Sequence, residues 1–496
     1  MMRTALLAIT AALLLTGCGR SDGEDEIIVS VIGPETRLRD PLNGLPRRSD
    51  ATLLGAVAQG LVRIDAAGQI EPGVAIRWAI SDDGLYYTFR LDHERADADQ
   101  IAARLRRLIR RYRNEPVGAG LDAVREVVAV TPEVIEIRLS APRTELMTML
   151  AGPAFALLID GKGTGPLTID GAVRRLTRLR PLPLRVGTDA EALKATESRR
   201  ILLRGERVGL AVARFVNGQA TLVTGGGFDD FVYTRLAKIP AHNIQIDSAT
   251  GLFGFRVAGT SPAVLATEVR QALAMALDRE AIGTALGIQG WRPVQGILPP
   301  GLTDVAEPSR PFWARAIDNV SGSDARARIS RTETARRIID IWRAQNGVDD
   351  RITLRIAMPT GPGSAILFAT VRRQWRAIGV EARRVYPRDE ADLRLIDEVA
   401  PLDQADWFLG HFLCSRGAPC SKDVDQAFHA ARAATDPSEH ARLIAETEAK
   451  LAAIGPFIPI AQPVRWSLAA PDLRGFQPNS RAAHPLAPMI GNQNNR

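Results

Sequence analysis

The feature that most constrains this chain is the order of its apolar periodicities in the second half. Thr334 to Gln345 repeats at helical spacing and Arg351 to Met358 reads as a strand. Ala365 to Ile378 is again helical, and Val380 to Tyr386 again strand-like. Alternation of helix and strand in this order is α/β in character. A further helical block opens after Ser261-Pro262, with Val264, Leu265, Val269, Leu273, Ala276 and Leu277 at three- and four-residue intervals. No fixed-period repeat points to a solenoid.

The first half reads differently. Ile27 to Ile32 is a β-branched run stopped by Gly33-Pro34, as expected of a buried strand. Gly60 to Asp65 alternates, and Trp78-Ala79-Ile80 turns through Ser81-Asp82-Asp83-Gly84 into Leu85 to Leu91. Val124 to Val130 and Val134 to Leu139 make a second pair. Between the pairs, Ile101, Leu105, Leu108, Ile109 and Tyr112 form one helical stripe, with arginines on the other faces turned to water. From Gly161 to about Val257 the signals are mostly strand-like, and Ala211 to Phe215 is one apolar piece, followed by Asn217-Gly218. Phe457 to Ala461 and Trp466 to Leu468 are late strands able to return to the first domain, which predicts discontinuous domains. At roughly 150 residues per domain, the 496 residues suggest about three.

Met1-Met2-Arg3 and the short apolar run Ala5 to Leu15 form a signal peptide, too short to span a bilayer. The run ends in Leu15-Thr16-Gly17-Cys18, which resembles a bacterial lipobox and implies lipidation of Cys18; an ordinary secretory signal is the alternative. Residues 19–26 are polar and glycine-bearing, a tether. No later run is long enough for a transmembrane helix. In an exported chain, Cys414 and Cys420 are a disulfide candidate. Two free thiols or a metal site are the alternatives, although five intervening residues without a second pair match no common zinc spacing. The net charge of +7 does not imply a nucleic-acid partner for an exported protein.

Catalytic constellations are missing from the sequence: it has no Gly-x-Ser-x-Gly elbow, His-Glu-x-x-His helix or Walker A loop. Gly161-Lys162-Gly163-Thr164-Gly165-Pro166 comes nearest to a phosphate cradle but lacks the Lys-Ser/Thr that should follow, and reads as a turn ahead of a strand. The six histidines lack ligand spacing, and Asp82-Asp83 beside Gly84 is turn chemistry. No cofactor or metal is expected.

The order of short motifs resembles the family 5 extracellular solute-binding proteins, the dipeptide-, oligopeptide- and nickel-binding group. Asp40-Pro41-Leu42, then Gln59-Gly60-Leu61-Val62-Arg63-Ile64-Asp65 with Gly68, Pro72 and Ala75-Ile76-Arg77-Trp78, and Ser81 to Leu91 carry the early match. Gly163-Thr164-Gly165-Pro166, Glu268 to Ile282, Ile297-Leu298-Pro299-Pro300-Gly301 and Pro456 to Ile460 continue it. The resemblance implies a periplasmic-binding-protein-like fold (type II, cluster C-like), two lobes around a cleft plus an inserted domain. Lobe I is expected at 27–50, 160–257 and 468–496, the inserted domain at 51–159 and lobe III at 258–467. It implies capture of a small ligand, a peptide, for ABC permease subunits, by a monomer held to the membrane through its N-terminal lipid.

By the same resemblance Asp406, Trp407, Gly410 and Gln59 stand at the ligand, Asp406 receiving its α-amino group; a surface or capping role is the other reading of Asp406. The chain departs from the family's pattern at Leu91 to Gln100, where the loop is shortened, and at His411-Phe412-Leu413-Cys414, which replaces a Tyr-x-Asp-Pro sequence. Those departures leave a nickel chelate, opine or sugar as alternative cargo, and a cell-envelope enzyme or assembly factor on a borrowed fold as the other class.

Overall fold

A computed structural model describes residues 26–92, 97–173, 175–182, 200–302, 304–305, 325–417 and 419–490. The leader, Cys18 and the tether through residue 25 lie outside the described residues, as do residues 93–96 of the shortened loop. Among the described residues, no helix is long and apolar enough to cross a membrane.

Glu26–Ile32 is the centre of a seven-stranded mixed sheet. It runs parallel to Arg200–Glu206 on one side and to Leu222–Gly227 on the other. A strand so placed is covered on both faces, which explains its unbroken apolar character; Val29, Ser30 and Val31 are fully buried. The one polar residue among them is not orphaned: Ser30 donates to Glu206 at 2.5 Å and accepts from Arg204 at 3.0 Å. Leu167–Val173 and Leu176–Pro181 extend the sheet beyond Arg200–Glu206, and Arg465–Ala469 and Ile244–Ile246 extend it beyond Leu222–Gly227.

The second sheet has the order Val380–Val385, Ile352–Ala357, Leu393–Val399, Gly251–Val257, Phe457–Ala461. Its first three strands are parallel, and the helix Pro362–Ala377 joins Ile352–Ala357 to Val380–Val385, as the alternation of periods requires. Ala325–Gln345 begins nine residues ahead of the predicted helix start.

Three expectations are corrected here. Gly251–Val257, assigned with lobe I, pairs with Leu393–Val399 and Phe457–Ala461 of the second sheet. Arg465–Ala469, mostly assigned to lobe III, pairs in the first. A short apolar run buried on both faces fits either sheet, so its composition cannot choose. The piece Ala211 to Phe215, read as strand-like, belongs to the helix Val208–Val216. Ala211 and Val212 face the core, and a stretch of five residues is too short to separate a period of 2 from one of 3.6.

A third body is inserted between Glu26–Ile32 and Leu167–Val173. It is an antiparallel meander, Ala75–Ile80, Tyr86–Leu91, Val134–Leu139, Val124–Thr131, with the helix Ala98–Tyr112 laid across it. Asp97 caps that helix by accepting from the Gln100 N–H at 3.1 Å. Ile101, Leu105, Leu108 and Tyr112 are buried as the stripe predicted. Arg104 departs from the expected solvated face: it is buried and paired with Asp40, which fastens the meander to the loop after the first strand. Its buried charge is tolerated because a counter-ion meets it.

The seven- and five-stranded sheets share one core, in which Val223, Trp466 and Leu468 meet Phe253, Leu354 and Trp375. The chain passes between them at 247–250 and 462–464, and the crossings are tied together. The Asp247 N–H donates to Arg465 O at 2.9 Å, and the Gly251 N–H to Gln462 Oε1 at 2.9 Å.

Candidate functional site

A cleft of about 580 Å³ opens where the three bodies meet, within the 300–1,000 Å³ typical of small-ligand sites. The first sheet contributes Thr224, Gly225, Gly226, Arg465 and Trp466; the second contributes Asp397 to Pro401. The meander body adds Gln59, Arg63, Glu71 and residues of 148–156. Arg48, at the start of the helix Arg48–Val57, and the C-terminal loop around His484 complete the wall.

The placement of the cleft follows from local structure. Leu393–Val399 ends in Asp397-Glu398-Val399, which places two carboxylates at the C-terminal end of the strand, where the cleft opens. Leu222–Gly227 ends in three consecutive glycines, and its pairing with Arg465–Ala469 shifts register between Val223 and Gly226. Gly225 sits there at φ +85°, in the left-handed region that favours glycine. Gly226 lies against the Trp466 ring: a Cβ there would be 2.2 Å from Cε2. The bulge keeps backbone, rather than side chains, at the floor of the cleft.

Most charged groups on the wall are paired. Asp397 binds Arg465 at 2.7 Å, Arg63 binds Glu71 at 2.8 Å and His484 faces Asp247 at 3.2 Å. Glu115 meets Arg416 at 3.3 Å and Arg481 meets Asp403 at 2.5 Å, both across the join between bodies. His411 is held at both ring nitrogens, Nδ1 by Trp407 O at 2.7 Å and Nε2 by Glu398 at 3.3 Å. That bond from His411 holds the Glu398 carboxyl below its ordinary range, so Glu398 presents an anion to the cleft.

Asp230, just behind the wall, behaves oppositely: burial and the neighbouring Asp229 push it up to about 6. A carboxyl raised in the folded state favours folding when protonated, so stability gained at low pH is lost as pH rises through about 6. Asp230→Asn should therefore raise the melting temperature above pH 7, with the difference shrinking as pH falls through about 6 and vanishing only below about 4, the range of an unfolded aspartate. A constant offset between pH 4 and 8 would mean that Asp230 does not titrate in the folded protein.

Of the residues singled out in the sequence, Gln59 and Trp407 line the cleft and Asp406 and Gly410 do not. Trp407 is buried edge-on to Phe408 and to His411, at 4.8 Å and 4.5 Å between ring centroids. Gln59 is locked by Thr164, whose hydroxyl lies 3.1 Å from Gln59 O and accepts from its N–H at 3.3 Å.

The role expected of Asp406 is corrected. Its carboxylate is buried beside Arg432, 3.9 Å from Nε, and burial pushes its pKa up. The short helix Ala405–Leu409 turns adjacent residues about 100° apart, so Trp407 reaches the cleft while Asp406 does not. Asp304, Asp406 and His440 have ligand atoms within 4.8 Å of one another, the one group among the described residues with metal-capable spacing. Arg432 already supplies a cation there, which makes the group an ion-pair network. Cys414 and Cys420 are joined as a disulfide, in a loop whose Arg416 donates to Asn114 O at 2.7 Å.

Arg48, Asp397, Glu398 and Arg465 escaped the sequence reading, and His411 entered it only as a departure from the family's pattern. The four come from three separate segments, and each taken alone resembles an ordinary surface charge.

No protein-family model matches the chain, and no curated protein matches it by sequence. Solved structures do match. Haemophilus influenzae OppA in complex with RPPGFSPFR aligns over 94% of this chain and 98% of its own, at 17% identity and a TM-score of 0.75. The Escherichia coli murein tripeptide binding protein MppA aligns over the same shares, at 16% identity and 0.75. This is a type II periplasmic-binding-protein fold. AgaA from A. tumefaciens, in complex with agropinic acid, shares it at 16% identity, 94% and 98% coverage and a TM-score of 0.70. Within the periplasmic-binding-protein fold, the cleft described above is the space between the two lobes and the inserted body.

Proposed function

We propose that the chain is a family 5 solute-binding protein, the ligand-capturing component of an ABC importer, exported and anchored through a lipid on Cys18. We propose a short peptide as its cargo, bound without turnover. The observation that carries this reading is the cleft itself. It has two sheets and an inserted body around it, two crossing segments behind it among the described residues, and ion pairs such as Arg416–Glu115 bridging its rim. Two adjacent crossings suit a hinge, and rim contacts that form on closure would favour the closed state when a ligand fills the space. The backbone floor at Gly225-Gly226 suits an extended peptide, since main-chain groups give affinity without selecting side chains. The peptide in the OppA complex and the tripeptide named for MppA lend support to this cargo.

The agropinic acid in the AgaA complex favours a second cargo, an opine-like small acid. A thermal-shift screen of the soluble chain against di- to pentapeptides, opines, nickel chelates and sugars separates them. A ligand at about 100 times its dissociation constant stabilises the fold by roughly 2.7 kcal/mol. A concentration-dependent shift with peptides supports the first reading, and one with opines alone replaces it with the second. Hydrolysis of the peptides would refute a binding role.

A further inference from the structure

We infer that the cleft takes a ligand bearing a carboxylate, and that Arg48 is the residue that receives it. The inference rests on reading the cavity as a ligand cleft and adds the chemical class of its occupant. Carboxylates and cations around the wall neutralise one another in the pairs described above, and Arg48 is the exception. It stands on the wall, and among the described residues it has no ion-pair partner. Its hydrogen bond is to an uncharged acceptor, from Nη1 to the Gly225 carbonyl at 3.2 Å.

The surroundings deepen the imbalance. A Cβ built on Gly227 would lie 3.6 Å from Arg48 Nη1, 3.8 Å from Asp397 Oδ2 and 3.9 Å from Arg465 Nη1. Three side chains therefore converge on one point, two guanidiniums for one carboxylate, and Arg465 already holds that carboxylate with its own Nη1. Asp397 and Asp230 act on Arg48 through space, but among the described residues neither comes within ion-pair distance of it. Although Arg48 is accessible from the open cleft, the protein crowded around it and the neighbouring Arg465 lower it to about 10, so it remains a cation at neutral pH.

A cation in this position is tolerable while water reaches it. Filling and closing the cleft removes that water, and a desolvated charge needs a counter-ion. A planar guanidinium with free donors matches a carboxylate in two-point geometry.

The carboxylate has three possible sources: a peptide's C-terminus, an acidic side chain, or a non-peptide acid such as an opine. The test is calorimetric titration and thermal shift of the whole soluble chain, comparing wild type with Arg48→Gln and Arg48→Lys. The ligands are peptides as free acids and as C-terminal amides, with Glu or with Gln side chains, and opines beside their amides. The expected result is a preference for acid over amide on the order of 10- to 100-fold in wild type, lost in Arg48→Gln and partly kept in Arg48→Lys. An effect of the Glu/Gln change alone would assign Arg48 to a side chain.

Unliganded Arg48→Gln should melt at or above the wild-type temperature, because a cation disfavoured by burial and by Arg465 is removed; if it does not fold, Arg48→Lys carries the comparison. Amides binding as tightly as acids, or Arg48→Gln binding like wild type, would overturn the inference and leave the cleft reading intact. Opines that bind through Arg48 while every peptide fails would overturn the peptide reading and leave the inference standing. Silence across the panel would overturn both.

Discussion

Trp466→Ala is expected to destabilise the protein by about 3–5 kcal/mol, the range for removing a fully buried tryptophan. Trp466 is 1% exposed and belongs to the core that joins the two sheets. Its ring is edge-on to Phe231 at 6.2 Å between centroids, and one face is covered by Gly226, which has no side chain to collapse into the space left behind. Its Nε1–H donates to Gly227 O at 2.9 Å, so truncation also leaves a buried carbonyl unmet. Because Trp466 lines the cleft as well, ligand-induced stabilisation should fall with it. Urea denaturation measures the first effect. Trp466→Phe, which keeps much of the volume and loses the donor, should cost distinctly less. A loss under about 1 kcal/mol for Trp466→Ala would mean that the core relaxes around the gap.

Gly163→Ala is the second large effect, expected at about 3 kcal/mol, the upper end for overpacking. A Cβ at Gly163 would stand 1.8 Å from the Val57 carbonyl oxygen. That carbonyl cannot swing aside, because it accepts from the Gly165 N–H at 2.8 Å, and Thr164 between the two glycines clamps Gln59. Backbone is therefore packed on backbone where the inserted body returns to the first sheet. Gly161→Ala is the control: it has open space around its Cβ but φ +74°, so it should cost about 1–2 kcal/mol through conformation alone. Equal effects at the two positions, read by thermal melting, would discard the close-approach account.

The Gly163-Thr164-Gly165 turn shows where sequence and structure meet. Its glycines and the strand after it were legible as a turn, because glycine spacing speaks directly of local backbone. The partner that makes Gly163 irreplaceable, Val57, is 106 positions earlier, and no local pattern signals such an approach. The arginine-rich helix is similar. Its apolar stripe predicted the buried face residue by residue, yet Arg104 is drawn inside by Asp40, a pairing that helical spacing cannot foresee.

Among the candidate ligand residues, Gln59 and Trp407 reach the cleft while Asp406 turns to Arg432. A one-residue step on a helix is a 100° rotation, finer than motif resemblance resolves. The cleft charges Arg48, Asp397, Glu398 and Arg465 were invisible for a different reason. A charged residue is read as solvated unless something nearby says otherwise, and what matters at these positions is distant in sequence.

The amino-acid sequence by itself determined the α/β class, the antiparallel meander and the order in which motifs follow one another. Periodicity and turn chemistry are local, and each residue contributes to them through neighbours a few positions away. Only the tertiary structure decided which sheet received Gly251–Val257 and Arg465–Ala469, which side chains face the cleft, and that Arg48 alone among the charges of its wall has no ion-pair partner among the described residues. Those outcomes depend on burial on both faces of a strand, on the direction of individual side chains and on ion pairs between segments hundreds of residues apart, quantities that exist only once the chain has closed on itself.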